Sequence, residues 1–481
     1  MKKLTAVLLL MAMAGVIVLV TQCNSGGGGS GKFTDTVITA VNLPETVPGF
    51  HFPEDSNKIY SWINGKTIDT ASIYKHAWGI WAGLTAESGQ TFQKDSLLIY
   101  QTWLGVSEIQ SLIINGRTDD KSINTKSKRV ELSVPHQLKD AVASAKRLGG
   151  TGDEIDSTTL TWTSVAYDPE AASHVIKNSL FKLSVINKYA VSGGIGGIPP
   201  FPQKAMTIKP VYYVGHAKDS LIRVPAWHGP PATPQAYGYA KWNSYVYADM
   251  HNKQAPGKVL VPVTTPNPTP QQIAAATCNV SDFIYLKLDT TMAAYMNEQQ
   301  KTVQKFTAHT GDIALLVAMH VTTKEISNWT WQTFYWAPNP TTPFLPSSNY
   351  AASLKPALHG AANHYAMGAA YTEVSPNLES NDRKKVSPVL VYNPYLEAPF
   401  GAKVFGTPNK LNPAFKYGVQ TNCRSCHSFA TTSKTSPYST DQFVNMKDTS
   451  LFNNTVQLDF AFSIQAAFIT GVTTTTAKPK K

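Results

Sequence analysis

The residues with the clearest chemistry in this chain are Cys423, Cys426 and His427, which belong to the segment Cys-Arg-Ser-Cys-His near the C-terminus. Two cysteines separated by two residues fit on one helical turn, where their thiols can add to the two vinyl groups of a haem. A histidine that follows the second cysteine directly points its imidazole at the iron as the proximal ligand. The spacing therefore predicts one covalently attached haem c, bonded to Cys423 and Cys426 and ligated by His427.

Paired cysteines also occur in zinc sites and in redox-active dithiols. A structural zinc ion needs two more close Cys or His ligands, and the sequence has no second Cys-x-x-Cys and no His-x-x-x-His. A thioredoxin-like dithiol belongs in a βαβ setting, whereas here the sequence predicts a loop at 398–413 and then a helical turn that leads into the haem segment. Both alternatives fit less well than haem.

Several residues are candidates for the second axial ligand of the iron. Met446 follows the haem segment at a distance that lets a compact domain fold it over the distal face of the haem, and it is our predicted ligand. A methionine ligand raises the reduction potential of the iron. The rivals lie earlier in the chain, and a vacant distal face is a further alternative; the rivals are His320, His364 and Met367.

The other motifs point to structure rather than to catalysis. The aromatic residues between Trp329 and Trp336 suit a core or a domain interface better than a substrate platform. Carboxylates are scattered, so no acid–base pair can be nominated, and there is no GxSxG motif and no P-loop. The catalytic residues, if the protein is an enzyme, are unknown at this point.

The N-terminus reads as an export signal. Lys2 and Lys3 precede the uncharged apolar run Leu4–Val20, and Cys23 follows it, in front of a Gly/Ser-rich tether. This layout is typical of a bacterial lipoprotein, with lipidation at Cys23. Gln22 departs from the small residue expected before such a cysteine, so an uncleaved anchor helix is the alternative. Both interpretations predict a periplasmic, membrane-anchored protein.

Charge and cysteine usage bear on the partners. The formal net charge is +11, and because the basic residues are scattered in an exported protein we expect no nucleic acid partner. An acidic redox partner or an anionic membrane surface suits this charge, as does a merely solubilising surface. Cys278 has no evident partner and is predicted to be a buried small hydrophobic residue. The oligomeric state is unknown.

The pattern of the chain predicts a β-rich body. Strands are expected at Ser96–Tyr100, Leu160–Val165, Val259–Val263 and Asp312–Val321, and helices at Gln137–Leu148 and around Gly360 in Ala351–Tyr371. Trp78 and Trp81 are expected on one face of a buried element. The predicted division is a signal peptide at 1–22, a tether at 23–32, a β-rich domain at 33–400, a haem-binding segment at 401–472 and a mobile basic tail at 473–481.

Beyond these motifs, the chain resembles a family of exported bacterial proteins of uncharacterised function, each with one c-type haem segment near its C-terminus. The matching stretches are His76–Leu84, Met319–Ile326, Asn328–Trp336, Tyr392–Glu397, Thr421–His427 and Leu458–Phe460. The resemblance implies haem binding and electron transfer, with Cys423, Cys426 and His427 as its functional residues. It implies no substrate.

We therefore predict an α+β protein, with a large β-rich domain and a small C-terminal helical segment like that of a cytochrome c. The haem segment is too short for a complete cytochrome, so the large domain is expected to supply part of the haem pocket. The predicted function is one-electron transfer outside the cytoplasm. An electron carrier is favoured over two alternatives, a haem oxidoreductase whose large domain binds a small molecule and a non-catalytic haem sensor.

Overall fold

A computed structural model describes residues 36–47, 50–135, 161–232, 235–299, 306–377, 387–400, 422–433 and 443–469. These residues belong to one compact unit, Asp35–Lys481, and they form a mixed α+β fold, as predicted. Several predictions lie outside the described residues. They are the signal peptide, the tether, lipidation at Cys23, the helix at 137–148, the domain boundary at 400–401 and the C-terminal tail.

The strands are mostly short, with two long ones at the centre of the chain. In order they are β1 Ile38–Thr39, β2 Thr46–Val47, β3 Phe50–His51, β4 Glu87–Phe92, β5 Asp95–Leu98, β6 Leu104–Gly105, β7 Thr125–Lys126, β8 Trp162–Thr163, β9 Ala166–Tyr167, β10 Ile195–Gly197, β11 Met206–Gly215, β12 Leu221–Pro225, β13 Tyr245–Asp249, β14 Thr277–Asn279, β15 Tyr285–Lys287, β16 Ile313–Thr323, β17 Thr330–Trp336, β18 Tyr365–Ala370, β19 Val374–Ser375, β20 Ser387–Pro388 and β21 Thr455–Gln457.

The helices are short, apart from one of 15 residues. They are α1 Ser56–Ile63, α2 Thr70–Leu84, α3 Val106–Ile114, α4 Asp120–Ile123, α5 Pro169–Lys177, α6 Leu183–Ile186, α7 Pro270–Ala276, α8 Thr290–Gln299, α9 Asn349–Ser353, α10 Cys423–His427, α11 Thr449–Phe452 and α12 Phe462–Ala466, with 3-10 turns at Ile99–Thr102, Asn187–Tyr189, Tyr239–Lys241, Val280–Asp282 and Gly360–His364. No helix in the described parts of the chain has the length and apolarity needed to cross a bilayer.

An eight-stranded antiparallel sheet organises the molecule. Its main path runs β18-β17-β16-β11-β9-β6, while β15 also pairs with β16 and β8 with β11. The long strands β11 and β16 pair from Met206 with Thr323 to Gly215 with Ile313, with a bulge between Val211 and Tyr212. β16 is almost wholly buried because its run of aliphatic residues is covered on both faces of the sheet. This sheet fixes the spacing of side chains that are far apart in sequence.

Helix α2 covers one face of the sheet through its tryptophans. The ring of Trp81 stacks on Phe334 of β17 at a centroid distance of 4.5 Å, and Trp78 donates a hydrogen bond from Nε1 to the carbonyl of Ala351 at 2.9 Å. Both tryptophans are fully buried, as the sequence predicts. Residues of β17 alternate between the faces, so Trp331 and Thr333 point away from α2. That opposite face meets the C-terminal residues.

Some of the strands and helices predicted from the sequence are present in the structure and others are not. The strand predicted at Asp312–Val321 is confirmed as β16, and the one at Ser96–Tyr100 holds only to Leu98. The strand predicted at Val259–Val263 is wrong, since only an isolated bridge pairs Val263 with Tyr245. The helix expected around Gly360 is confirmed only in part, as the end of α9 and the 3-10 turn Gly360–His364, because Tyr365–Ala370 pairs with β17 as a strand. The small residues of Tyr365–Ala370 allow close packing on both faces of the sheet. Intrinsic secondary-structure propensities do not include this tertiary packing.

Candidate functional site

The predicted haem segment is a one-turn helix whose N-terminus is capped by Asn422. The Asn422 Oδ1 accepts hydrogen bonds from the backbone N–H groups of Arg424 at 2.9 Å and Ser425 at 3.3 Å. Its Nδ2 donates to the carbonyls of Thr372 at 2.9 Å and Val389 at 2.7 Å. Asn422 is fully buried, so this one side chain both begins α10 and ties it to the large sheet-bearing body.

Replacing Asn422 by alanine is expected to lower the free energy of unfolding by about 2–4 kcal/mol, because a cap is lost and the carbonyls of Thr372 and Val389, one buried and one half-buried, lose their donor. Chemical unfolding followed by circular dichroism measures this loss. Asp448→Ala is the matched control, since Asp448 caps α11 at an exposed site and its loss should cost about 1 kcal/mol. Equal losses in the two variants would contradict the anchoring role of Asn422.

The imidazole of His427 is fixed in one tautomer. Its Nδ1 lies 2.7 Å from the carbonyl oxygen of Phe460, which can only accept, so Nδ1 carries the proton and Nε2 keeps its lone pair. The ring packs between Trp331, with centroids 4.4 Å apart, and Phe462, at 5.1 Å. Desolvation of the ring lowers the pKa of His427 to about 4. The side chain is therefore neutral at pH 7, which is the state that binds a metal ion.

The Phe460 carbonyl, which accepts the hydrogen bond from His427, lies in a strained turn. Asp459 and Phe460 both have left-handed backbones, with φ of 47° and 68°, and such conformations persist only where the surroundings enforce them. Here Lys324 pairs with the Asp459 carboxylate at 2.5 Å, and the same carboxylate accepts the N–H of Phe201 at 2.9 Å. The Phe460 carbonyl is thereby held in place by residues on the sheet side.

The two cysteines carry free thiols. Both are half-buried, and the Sγ of Cys423 lies 3.7 Å from the carbonyl oxygen of Val391. Desolvation raises the pKa of both thiols, so the thiolate forms are disfavoured. Reactive dithiols have lowered pKa values instead, and this pair lacks that property.

Three titratable side chains from the sheet and a following loop act electrostatically on residues of α10. His320 of β16 bonds through Nε2 to the Glu397 carboxylate at 2.7 Å, and Lys209 of β11 is the register partner of His320. Desolvation lowers the pKa of Lys209 to about 8, while Glu397 and Cys426 act to raise it. Glu397 and Lys209 thus both act electrostatically on Cys426.

A buried ion pair anchors the middle of α10. The Nε of Arg424 lies 3.2 Å from Oε2 of Glu373, and the side chains are 7% and 0% exposed. Desolvation raises the pKa of Glu373, while Arg424 acts to lower it. Like the Asn422 cap, this pair joins α10 to the segment that follows β18.

The candidates for a distal ligand are spread over the molecule. Met446 is half-buried and packs against the small cluster of Phe429, Val444 and Phe452. Met367 lies opposite Phe334 in the sheet, on the face covered by α2, and His364 is 3.5 Å from Asp282. Of the rivals, His320 is the one that acts electrostatically on His427. Met446 stays the prediction, with His320 as the leading rival.

Sequence reasoning assigned no role to Asn422, Glu373, Glu397 or Lys209, although Asn422 and Glu397 lie in stretches that carry the resemblance. Asn422 had a usable signal, since asparagine directly before a short helix is a preferred N-cap. The other three lie 26 or more residues from the cysteines and become neighbours only through the sheet register. No local pattern indicates them.

The residues around α10 fit haem better than zinc. A haem site needs two thiols on one turn and a neutral histidine with a fixed second nitrogen, and all of these are present. Within the described residues, the group that could hold a metal ion by Cys, His and carboxylate ligands alone is His216, His309 and Asp312, which does not include the cysteines.

Comparisons with protein-family models, with curated proteins and with solved structures find no match for this chain. Its function has to be argued from its own residues.

Proposed function

We propose that this protein carries one haem c, bonded to Cys423 and Cys426 and ligated by His427, and that it transfers single electrons. The observation that carries the proposal is the 2.7 Å contact between His427 Nδ1 and the Phe460 carbonyl. It leaves Nε2 free on a helical turn that also bears two unpaired thiols. Haem c supplies a reversible Fe(II)/Fe(III) couple when bound at such a site.

The surrounding residues have defined tasks in this proposal. Trp331 and Phe462 enclose the imidazole and exclude water from it. The hydrogen bond to Phe460 makes the histidine a more basic ligand and fixes its orientation. Lys324 and Asp459 are positioning residues, since they hold the turn that presents the carbonyl.

Redox titration of the haem-loaded protein tests the assignment to electron transfer. We expect one reversible one-electron transition, and we expect carbon monoxide to leave the spectrum of the reduced protein unchanged, because His427 and Met446 would fill both axial positions. Met446→Ala should open the sixth position to carbon monoxide, while Met367→Ala, on the other face of the sheet, should not. Gas binding by the unaltered protein would contradict the six-coordinate assignment and favour a sensor.

A haem-containing oxidoreductase is the second candidate, and a cleft beside Lys209 favours it. The cleft has a volume of about 240 Å³ and is also lined by Glu108, Tyr295 and Ser463. This volume is below the roughly 300–1,000 Å³ of typical small-molecule sites, so the electron carrier is preferred. Turnover of a small reductant or of peroxide, lost in a Lys209→Met variant that keeps its haem, would reverse this preference.

We also propose that the protein is exported, anchored through a lipid on Cys23, and docks an acidic redox partner. The support is the N-terminal pattern and the net charge of +11. Labelled palmitate should enter the protein in bacterial cells, and Cys23→Ser should abolish its incorporation. Labelling that persists in that variant would contradict lipidation at Cys23.

A further inference from the structure

A second group of potential metal ligands lies at the far end of the central strands. His216 directly follows β11, and Asp312 directly precedes β16. His309 lies in the turn before Asp312. Lys209, near the cysteines, is six residues from Gly215 along β11, which corresponds to about 20 Å. This group is therefore separate from the haem-attachment site.

The separations of the three ligand atoms suit a coordination shell. The Nδ1 atoms of His216 and His309 lie 3.0 and 3.4 Å from Oδ2 of Asp312, and one atom from each residue falls within 4.8 Å of the others. Tetrahedral zinc with bonds of about 2.0–2.1 Å places its ligand atoms about 3.3–3.4 Å apart. Small side-chain rotations would bring the two histidines to that spacing.

The carboxylate and one imidazole are already held in position. Asp312 is buried, and its two oxygens accept the backbone N–H groups of Ala217 at 3.0 Å and His309 at 2.9 Å. The ring of His216 stacks on Phe306 with centroids 4.8 Å apart and planes 8° apart. Because backbone and packing contacts fix these groups, little conformational entropy is lost when an ion binds.

His309 supplies the open side of the group. Its side chain is 61% exposed, so an ion can enter from solvent and retain water as a further ligand. Two imidazoles and one carboxylate suit zinc and neighbouring divalent transition metals, whereas calcium and magnesium prefer oxygen ligands.

We propose that His216, His309 and Asp312 bind one exchangeable divalent transition-metal ion, with zinc as the representative, and that water completes its coordination. The proposal goes beyond electron transfer and does not depend on it. The ion would join the turn after β11 to the turn before β16, with the carboxylate and both imidazoles as its protein ligands.

Calorimetric titration of the untagged, haem-loaded protein with zinc chloride tests the proposal. We expect one micromolar or tighter site, weakened at least about 100-fold by His309→Ala. That variant should fold, because His309 is exposed. His359→Ala is the control, since His359 is an exposed histidine that is not one of the three grouped ligands, and this variant should bind zinc like the parent.

Asp312→Asn provides an independent variant, with circular dichroism as the check that it folds. It should also lose the site, because an amide oxygen is a poor substitute for the carboxylate on zinc. No micromolar binding by the parent, or the same affinity in His309→Ala as in the parent, would overturn the proposal. The haem spectrum reports separately on the proposed electron-transfer site, and we expect zinc to leave it unchanged.

Discussion

Replacing Cys423 and Cys426 together by alanine is expected to remove covalent haem completely. The thiols of these residues are free and lie on one helical turn, and each would form one thioether bond. Protein matured in a bacterial periplasm should therefore have the mass of the polypeptide alone, with no haem band on a denaturing gel. Each single variant should retain one thioether at most, with a shifted absorption band.

Cys278→Ala is the matched control for this experiment. Cys278 is a free, buried cysteine that donates to the carbonyl of Tyr247 at 3.5 Å, away from α10. Cys278 is not part of the Cys-x-x-Cys-His segment, so the control variant should keep its haem. Haem that survives denaturation in the double variant would contradict the attachment site.

Replacing Arg424 by methionine is expected to lower the free energy of unfolding by about 3–5 kcal/mol, because it leaves the buried Glu373 carboxylate without its partner. The pair joins α10 to the residues after β18, with its atoms 3.2 Å apart. Urea unfolding at pH 7 measures the loss. Arg424→Met combined with Glu373→Leu should recover much of it, since no buried charge then remains.

The loss should depend on pH in a defined direction. Desolvation raises the pKa of Glu373 in the folded protein above its ordinary value of 4.5, so the folded state holds this proton more tightly than the unfolded state does. The free energy of unfolding therefore falls as the pH rises from the ordinary pKa through the folded pKa. Without Arg424 this pKa rises further, and the variant should lose more stability between pH 5 and 7 than the parent does.

Lys177→Met is the control for the ion pair. Lys177 pairs with Asp120 at 3.4 Å, but their side chains are 53% and 84% exposed. Solvent screens such a pair, so the loss should stay below about 1 kcal/mol. A loss in Arg424→Met as small as that of this control would show that the buried pair does not anchor α10.

How much of this molecule the sequence predicts depends on the range of the interactions involved. The turn with Cys423, Cys426 and His427 is local, so its helical form follows from its spacing. β16 is also predictable, because eleven consecutive residues carry its pattern. The segment Tyr365–Ala370 is a strand only because β17 lies beside it, and its own composition suits a helix.

The surroundings of the site show the same limit. Trp331 belongs to an aromatic cluster that the sequence assigns to a core or an interface, and the structure places its ring against His427. No sequence pattern identifies the Phe460 carbonyl as the partner of His427, because every residue has a backbone carbonyl. Its position depends on two left-handed residues and on the Lys324–Asp459 pair, which only the folded chain brings together.

Covalent attachment of a haem through Cys423 and Cys426, with His427 on the iron, underlies the proposed electron transfer. The most direct test is the intact mass and absorption spectrum of the protein purified from the periplasm of a host that performs c-type haem maturation. We predict the mass of the polypeptide plus one haem, with a Soret band that remains after acid–acetone extraction. A polypeptide mass alone, with no Soret band, would contradict the account.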